Sequence, residues 1–152
     1  MAKQVTIKGY AKPEHVELAK CAVKLAEQEE LNVPDEIKFT APLNGTKRLK
    51  GRCIHHKRDD IFKITIGLRN AKFVESEDGK YINRTTKKRM KRVVGDWIEF
   101  RSVVHTMAHE LAHLKFWNHG PQHIGYTTNL FKQLVAMLEE KDISIKCDPF
   151  KK

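Results

Sequence analysis

Apolar residues recur at helical intervals in three stretches of this chain. The first covers residues 15–31, where Pro13 suits the first helical turn and Pro34 follows the end. The second carries its apolar residues between 103 and 114, and the third covers residues 122–140. We therefore predict three helices. In the third, the residues predicted to face the core are Ile124, Leu130, Phe131, Leu134, Val135 and Leu138.

Short runs of β-branched and aromatic residues lie between the first and second predicted helices. They cover residues 37–40, 52–56 and 61–68, and residues 4–8 form a further short candidate strand before the first helix. The pattern in 61–68 alternates over its second half, as in a strand with one buried face. We predict a small antiparallel or mixed sheet, and with the helices this gives an α+β fold.

The length and composition of the chain suit one such domain. It has 152 residues, of which 40% are hydrophobic, enough for a single core. We predict one domain over residues 1–152, with a basic loop or hairpin insertion at about 69–95 and a short tail from about 142. No apolar run is long enough to span a membrane, and the start has no signal-peptide pattern, so we expect a cytoplasmic protein without a membrane partner. The three cysteines are widely spaced and form no CxxC pair, which indicates neither a disulfide framework nor a second zinc site.

The second predicted helix carries the sequence His-Glu-Leu-Ala-His. His109 and His113 are four residues apart, so on a helix both imidazoles project from one face and can bind one ion. Glu110 then lies beside the metal and can take a proton from a water whose pKa the metal lowers toward ~7. Asp96 and Glu99 have capping-box spacing upstream. We predict a Zn²⁺ hydrolase site; the alternative is an amphipathic helix with surface histidines.

A third ligand requires a break in the helix after His113. In an unbroken helix His119 would lie about 9 Å further along the axis and on nearly the opposite face. Asn118 tolerates the left-handed conformation that ends helices, and Pro121 prevents Gly120 from staying helical. The chain can therefore turn back, and we predict His119 as the third zinc ligand.

Other histidines and polar residues are candidates for roles in the same site. His123 is the second choice for the third ligand, whereas His105 is too far along the helix and is expected beside the site or in the core. Of His55 and His56, adjacent on a predicted strand, one could face the cleft, although a surface and a half-buried histidine is the simpler interpretation. Candidate donors to the oxyanion are Tyr126 and Arg101.

The positive charge is concentrated in one segment. Residues 45–92 hold 16 Lys and Arg against 5 Asp and Glu, whereas the rest of the chain holds 13 against 14. Such a segment can bind phosphates non-specifically and with strong salt dependence; the alternative is a solvated loop. We predict non-specific DNA contact. Its candidate residues are Arg84, Lys87, Lys88, Arg89, Lys91 and Arg92.

These motifs resemble those of known zinc metallopeptidases. His-Glu-Leu-Ala-His followed by Leu-x-x-x-Asn-His resembles the YgjP-like and Wss-type (WLM) families, and His119-Gly120-Pro121 resembles the HGP element of the SprT/Spartan family. Gly51-Arg52-Cys53 and the strand at 64–68 are similar to the segments that precede the SprT active helix. Gly67 departs from the usual Asn, and His123 stands where Phe is common. The resemblance implies a gluzincin-like (zincin) peptidase, in a group whose best-known members digest proteins on or crosslinked to DNA.

The function predicted from the sequence is that of a zinc-dependent endopeptidase. Zinc held by His109, His113 and His119 would polarise the scissile carbonyl, and Glu110 would serve as general base and then general acid. We expect a substrate segment to add to the sheet edge near residues 61–68. The alternatives are a basic nucleic-acid-binding module with a structural or vestigial zinc, and a zinc amidase acting on non-protein amides. A carboxylate beside an open coordination position favours an enzyme.

Overall fold

The computed structural model describes residues 5–9, 12–40 and 51–143, and within them the fold is α+β, as predicted. The helices are α1 (Pro13–Gln28), α2 (Phe100–Ala112) and α3 (Pro121–Glu140). The strands are β1 (Thr6–Gly9), β2 (Glu36–Thr40), β3 (Gly51–His56), β4 (Ile61–Gly67), β5 (Arg69–Glu75), β6 (Tyr81–Ile82) and β7 (Arg89–Trp97). None of the helices in these ranges is both long and apolar enough to cross a bilayer.

The larger sheet is mixed and has the strand order β1-β2-β4-β3. β1, β2 and β4 run parallel, and β3 is antiparallel to β4, with Cys53 opposite Ile64. The sequence-based expectation of a free edge at residues 61–68 is wrong, because β4 is paired on both sides. Among the described strands, β1 and β3 form the two edges of this sheet, and β3 borders the candidate site.

The three helices pack on one another and on the larger sheet through a single core. α3 contributes Leu130, Leu134 and Leu138, which are fully buried. The prediction that Ile124 faces the core is wrong, since 65% of this residue is exposed. His123 and Thr127 occupy the buried stripe in the first turns of α3, and Ile124, one position round the helix, therefore points outward.

The start of α2 is held by tertiary packing and not by a side-chain cap. The predicted capping box is wrong: Asp96 lies in β7, and the N-cap residue is Glu99, whose side chain makes no capping hydrogen bond. Instead, the buried His15 ring of α1 lies 6.0 Å from Trp97 and 5.7 Å from Phe100. These aromatic contacts fix the direction in which α2 leaves the sheet.

Residues between β4 and α2 form a second, three-stranded antiparallel sheet with the order β5-β7-β6. Its exposed large apolar residues include Phe73 and Tyr81, whose rings meet edge to face at 5.2 Å. The strands alternate, so Arg89 and Lys91 share one face with Lys72, while Arg92 lies opposite Phe73 on the other. The cations that are adjacent in sequence are therefore divided between two surfaces.

Candidate metal centre

The last turn of α2 presents the His-Glu-Leu-Ala-His motif. The helix ends at Ala112, and His113 is its C-cap residue with right-handed helical backbone angles. The apolar face of α2 is completely covered by the core, which sets the rotation of the helix about its axis. As a result, His109 and His113 are half-buried on the side facing the cavity, while Glu110 is only 4% exposed.

The chain reverses after α2 by a route different from the predicted one. The helix ends before Asn118, and none of residues 113–120 has a positive φ. The last carbonyls of α2 accept hydrogen bonds from the turn, including Phe116 N–H to the Ala112 carbonyl at 2.8 Å. Gly120 is extended, and Pro121 begins α3. This turn returns His119 to the end of α2.

Three imidazole nitrogens meet at one point. His119 Nε2 lies 3.1 Å from His109 Nε2 and 3.0 Å from His113 Nε2. Nitrogens bound at 2.0–2.1 Å to a tetrahedral zinc would lie about 3.3 Å apart, so a small outward adjustment of the rings would accommodate the ion. The arrangement is open on the His119 side because this residue is exposed.

His123 lies close to the same point but is bound differently. It is 1% exposed, and ligand atoms of His109, His113 and His123 lie within 4.8 Å of one another. However, His123 Nε2–H donates to the His109 carbonyl oxygen at 3.0 Å, which leaves only Nδ1 for a metal. Its ring also stacks on His113 at 4.1 Å. These contacts suit a residue that orients its neighbours, and they leave His119 as the histidine whose Nε2 meets those of His109 and His113.

The histidines are held in the neutral form that metals require. Burial, with the neighbouring histidines adding to it, lowers the pKa of His109 to about 4. Burial also lowers the pKa of His113 and of His123. A neutral imidazole keeps one nitrogen lone pair free, so at pH 7 no proton has to be displaced from these rings before metal binding.

Glu110 is the buried acid of the site. Burial raises the pKa of its carboxyl to about 7, the range in which a group can both accept and return a proton near neutral pH. The Cys53 thiol lies in the same wall, and burial, followed by the charge of Glu110, raises its pKa to about 12. Cys53 is therefore a neutral thiol at pH 7.

A cavity of about 290 Å³ opens over these groups. β3 forms one wall, the end of α2 the floor, and the turn after α2 the other wall. The sequence assigns no role in the site to Trp117, and it indicates Gly51, Arg52 and Cys53 as part of the site only through the family resemblance. The lining residues are Gly51, Arg52, Cys53, His109, Glu110, His113, Trp117 and His119.

Gly51 is where β3 contacts the part of α2 that carries the His-Glu-Leu-Ala-His motif. A Cβ added to this residue would lie 2.6 Å from Thr106 Cγ2 and 2.8 Å from Glu110 Oε2. Both distances are shorter than carbon atoms tolerate, so only glycine lets the strand approach the Glu110 carboxylate this closely. The gap left by the missing side chain is filled by Glu110 itself.

The remaining candidate histidines lie outside the cavity. His55 stacks on Phe62 at 4.1 Å and bonds Asp60 Oδ1 through Nε2 at 2.9 Å, and His56 is exposed. The exposed His105 has its ring 5.5 Å from that of Phe131. His55 and His56 on β3 are therefore a half-buried and a surface histidine, which is the simpler of the two interpretations given above.

Neither of the two candidate oxyanion donors lines the cavity. The Tyr126 hydroxyl donates to Oε1 of Glu29, the C-cap residue of α1, at 2.9 Å, and burial raises the pKa of this hydroxyl. The Arg101 guanidinium lies 5.6 Å from the centre of the Phe131 ring. Arg52 is the Lys or Arg residue among those that line the cavity.

The predicted nucleic-acid-binding residues lie in the second sheet and its β6–β7 turn. The turn is ordered by Asn83, whose Oδ1 accepts hydrogen bonds from the N–H groups of Thr85 and Thr86. Lys88 forms an exposed ion pair with Glu75 at 3.4 Å. Exposed pairs of this kind contribute little and open readily, so the cation stays available to a phosphate.

Comparison with known proteins supports the fold and leaves the family open. No protein-family model matches the chain, and no curated protein matches it by sequence. Among solved structures, the crystal structure of a Wss1 mutant from Saccharomyces cerevisiae is similar, with a TM-score of 0.53 and 16% sequence identity. The match covers 91% of this chain and 93% of that chain. The two proteins thus share a fold at low identity.

Proposed function

We propose that this protein is a zinc-dependent endopeptidase. The observation that carries the proposal is the convergence of three Nε2 atoms beside a buried carboxyl group in an open cavity. The residues that would hold the ion are His109, His113 and His119. When bound there, zinc supplies a Lewis acid that polarises a carbonyl and acidifies water. The likeness to the Wss1 fold is consistent with this chemistry.

In this proposal Glu110 carries the proton transfers. Its burial next to the ligands places a base with a pKa of about 7 at the attacking water. The carboxylate accepts the proton of that water and then donates it to the departing amine. His123, through its bond to the His109 carbonyl, holds the end of α2 against α3 while these steps occur.

The proposed substrate is an extended protein segment. β3 is an edge strand whose residues Gly51, Arg52 and Cys53 line the cavity, so a substrate strand pairing with it would cross the metal centre. Such main-chain pairing gives affinity with little dependence on side chains. Main-chain pairing with β3 therefore favours protein substrates over the small amides that a zinc amidase would hydrolyse.

The direct test combines metal content with hydrolysis. We expect the purified protein to hold about one zinc per chain and to cleave an unfolded protein substrate. A chelator should abolish cleavage, and added zinc should restore it, because the ligand set has no function without the ion. Cleavage that survives complete zinc removal would contradict the proposal.

Gly51→Ala is predicted to impair hydrolysis while preserving zinc binding. The new methyl group displaces Glu110, and a misplacement of about 1 Å can lower the rate by roughly 100-fold. We expect kcat to fall by about 10- to 100-fold. Kinetics on a short free peptide, with zinc content measured in parallel, checks this.

A matched control is Gly125→Ala, since an added Cβ at Gly125 meets nothing within 4 Å. This variant should cleave at the wild-type rate. Thr106→Ser in the Gly51→Ala background removes the contacting Cγ2 and should recover part of kcat. An unchanged kcat in Gly51→Ala would mean that β3 moves to accommodate the new methyl group and that this strand does not position Glu110.

We further propose that the second sheet binds DNA non-specifically and brings the peptidase to DNA-associated proteins. Support comes from the charge of the segment and from the resemblance to SprT/Spartan. Replacing Lys87, Lys88, Arg89, Lys91 and Arg92 with Ser or Gln should flatten the salt dependence of DNA binding. Each lost phosphate contact lowers the log-log slope by about 0.9 on duplex or ~0.7 on single strands.

Free-peptide cleavage and zinc content provide the control for this variant, and both should stay near wild type because none of these residues lines the cavity. Cleavage of a DNA-bound protein should fall sharply. The measurement is DNA affinity at two salt concentrations. If wild type and variant show equal log-log slopes of DNA affinity against salt, or if wild type does not bind DNA at low salt, the DNA-binding proposal fails. The segment is then a solvated surface.

A further inference from the structure

Trp117 is a large apolar side chain placed in solvent beside the metal centre. It is 54% exposed, whereas the other tryptophan, Trp97, packs against the core. An indole presents a large apolar area with a single polar N–H, and tryptophan is enriched at binding interfaces. Trp117 also lines the cavity that contains the three predicted ligands.

The position of Trp117 is set by the same turn that returns His119. Its ring centre lies 6.0 Å from that of His113, with 60° between the ring planes. The turn is tied at both ends, by Phe116 N–H to the Ala112 carbonyl and by Gly120 N–H to the Asn118 carbonyl. The backbone on both sides of Trp117 is therefore held, and its indole lies near the predicted ligand His113 at the edge of the cavity.

The opposite wall of the cavity is β3, where Arg52 is exposed and Cys53 half-buried. A substrate strand paired with β3 sends alternate side chains to opposite faces. One of the side chains flanking the scissile bond would then project to the same face as a Cβ on Gly51, which points toward Glu110. The Trp117 indole lines the cavity on that side.

We propose that Trp117 forms an apolar subsite that binds an apolar or aromatic side chain next to the scissile bond. This inference rests on the proposed endopeptidase function and adds a preference to it. A flat, preorganised ring favours Phe, Leu or Met over Ala or charged residues through apolar contact and ring stacking. Trp117 is thus a specificity-determining residue, separate from the proton-transfer group Glu110.

The first test is a peptide series that differs only at the two positions flanking the cleaved bond. Wild type should cleave the Phe or Leu peptide with a kcat/KM about 10-fold or more above that of the Ala peptide at one position. Trp117→Ala should bring this ratio close to one while keeping zinc and cleavage of the Ala peptide. Trp117→Phe should retain most of the preference.

Ile82→Ala is the matched control, because Ile82 is 61% exposed and lies outside the cavity. It should leave both rates unchanged. A preference that persists in full in Trp117→Ala would overturn the inference while leaving the endopeptidase proposal standing. Loss of cleavage of every peptide in wild type would instead contradict the endopeptidase proposal, and a binding measurement then decides the role of Trp117.

For that measurement, Trp97→Phe with Glu110→Gln leaves Trp117 as the single tryptophan, which can be excited selectively, since the chain has 2 Trp. A Phe peptide, and not its Ala counterpart, should shift the Trp117 emission. The reciprocal variant, Trp117→Phe with Trp97 kept, should lose the response, and it covers the case in which Trp97→Phe fails to fold. The absence of a shift with the Phe peptide, or a larger response to a single-stranded oligonucleotide, would overturn the peptide subsite.

Discussion

Glu110→Gln should retain zinc and fold normally but lose hydrolysis by at least ~100-fold, the lower end of the range for general acid–base catalysis. Glutamine has nearly the same size and fits the same contacts with Gly51 and Thr106. It cannot accept a proton from water at neutral pH. The fall should appear in kcat, measured on a peptide or an unfolded protein, with zinc content near that of the wild type.

An exposed carboxylate provides the control for this prediction. Glu77→Gln changes the net charge by the same amount on the second sheet, far in sequence from the motif, and should keep full activity. If wild type and Glu110→Gln are equally inert toward proteins, peptides and simple amides, with and without DNA, the enzymatic assignment fails. A nucleic-acid-binding module with a structural zinc would then be the better interpretation.

His119→Ala should lose most of its zinc, whereas His123→Ala should retain most of it. Removing one of three protein ligands leaves a two-histidine site, which binds zinc poorly. His123 already donates its Nε2–H to the His109 carbonyl and contributes by orientation. The measurement is zinc per folded chain after dialysis against a weak chelator, with His109→Ala and His113→Ala expected to behave like His119→Ala.

The His123 variant needs a stability measurement beside it. Without the His123 imidazole, the His109 carbonyl oxygen loses the hydrogen bond that the ring donates. An unsatisfied buried acceptor costs about 1–3 kcal/mol of folding free energy. We therefore expect a lower melting temperature in His123→Ala together with near-normal zinc. Full zinc in His119→Ala and its loss in His123→Ala would move the third ligand to His123.

Local patterns were sufficient to predict the helices and most of the larger sheet, whereas residues 69–95, predicted as a loop or hairpin insertion, contribute to a three-stranded sheet. Helical periodicity gave the three helices to within a few residues, and short apolar runs gave β2, β3 and β4. These signals are readable because side-chain direction repeats every 3.6 residues in a helix and every two in a strand. The same periodicity places His109 and His113 on one face of α2 once a helix is assigned.

Errors arose where a neighbour in space decided the outcome. Ile124 fits the apolar pattern of α3, yet His123 and Thr127 take the buried positions because this part of α3 packs on the end of α2. Asp96 has capping spacing, but pairing within the second sheet draws it into β7. The turn after α2 was predicted from Asn118 and Pro121, and it is the end of the helix at Ala112 that makes the reversal.

By itself, the sequence determined the α+β class and a His-Glu-x-x-His helix, because both depend on residue types at short, fixed spacings. Tertiary structure alone decided that β3 and not β4 borders the site, that Gly51 abuts Glu110, and that Trp117 faces the cavity. It also brought His119 Nε2 to within 3.1 Å of His109 Nε2. These relations join residues whose contact depends on how helices and strands pack, and no local spacing encodes that packing.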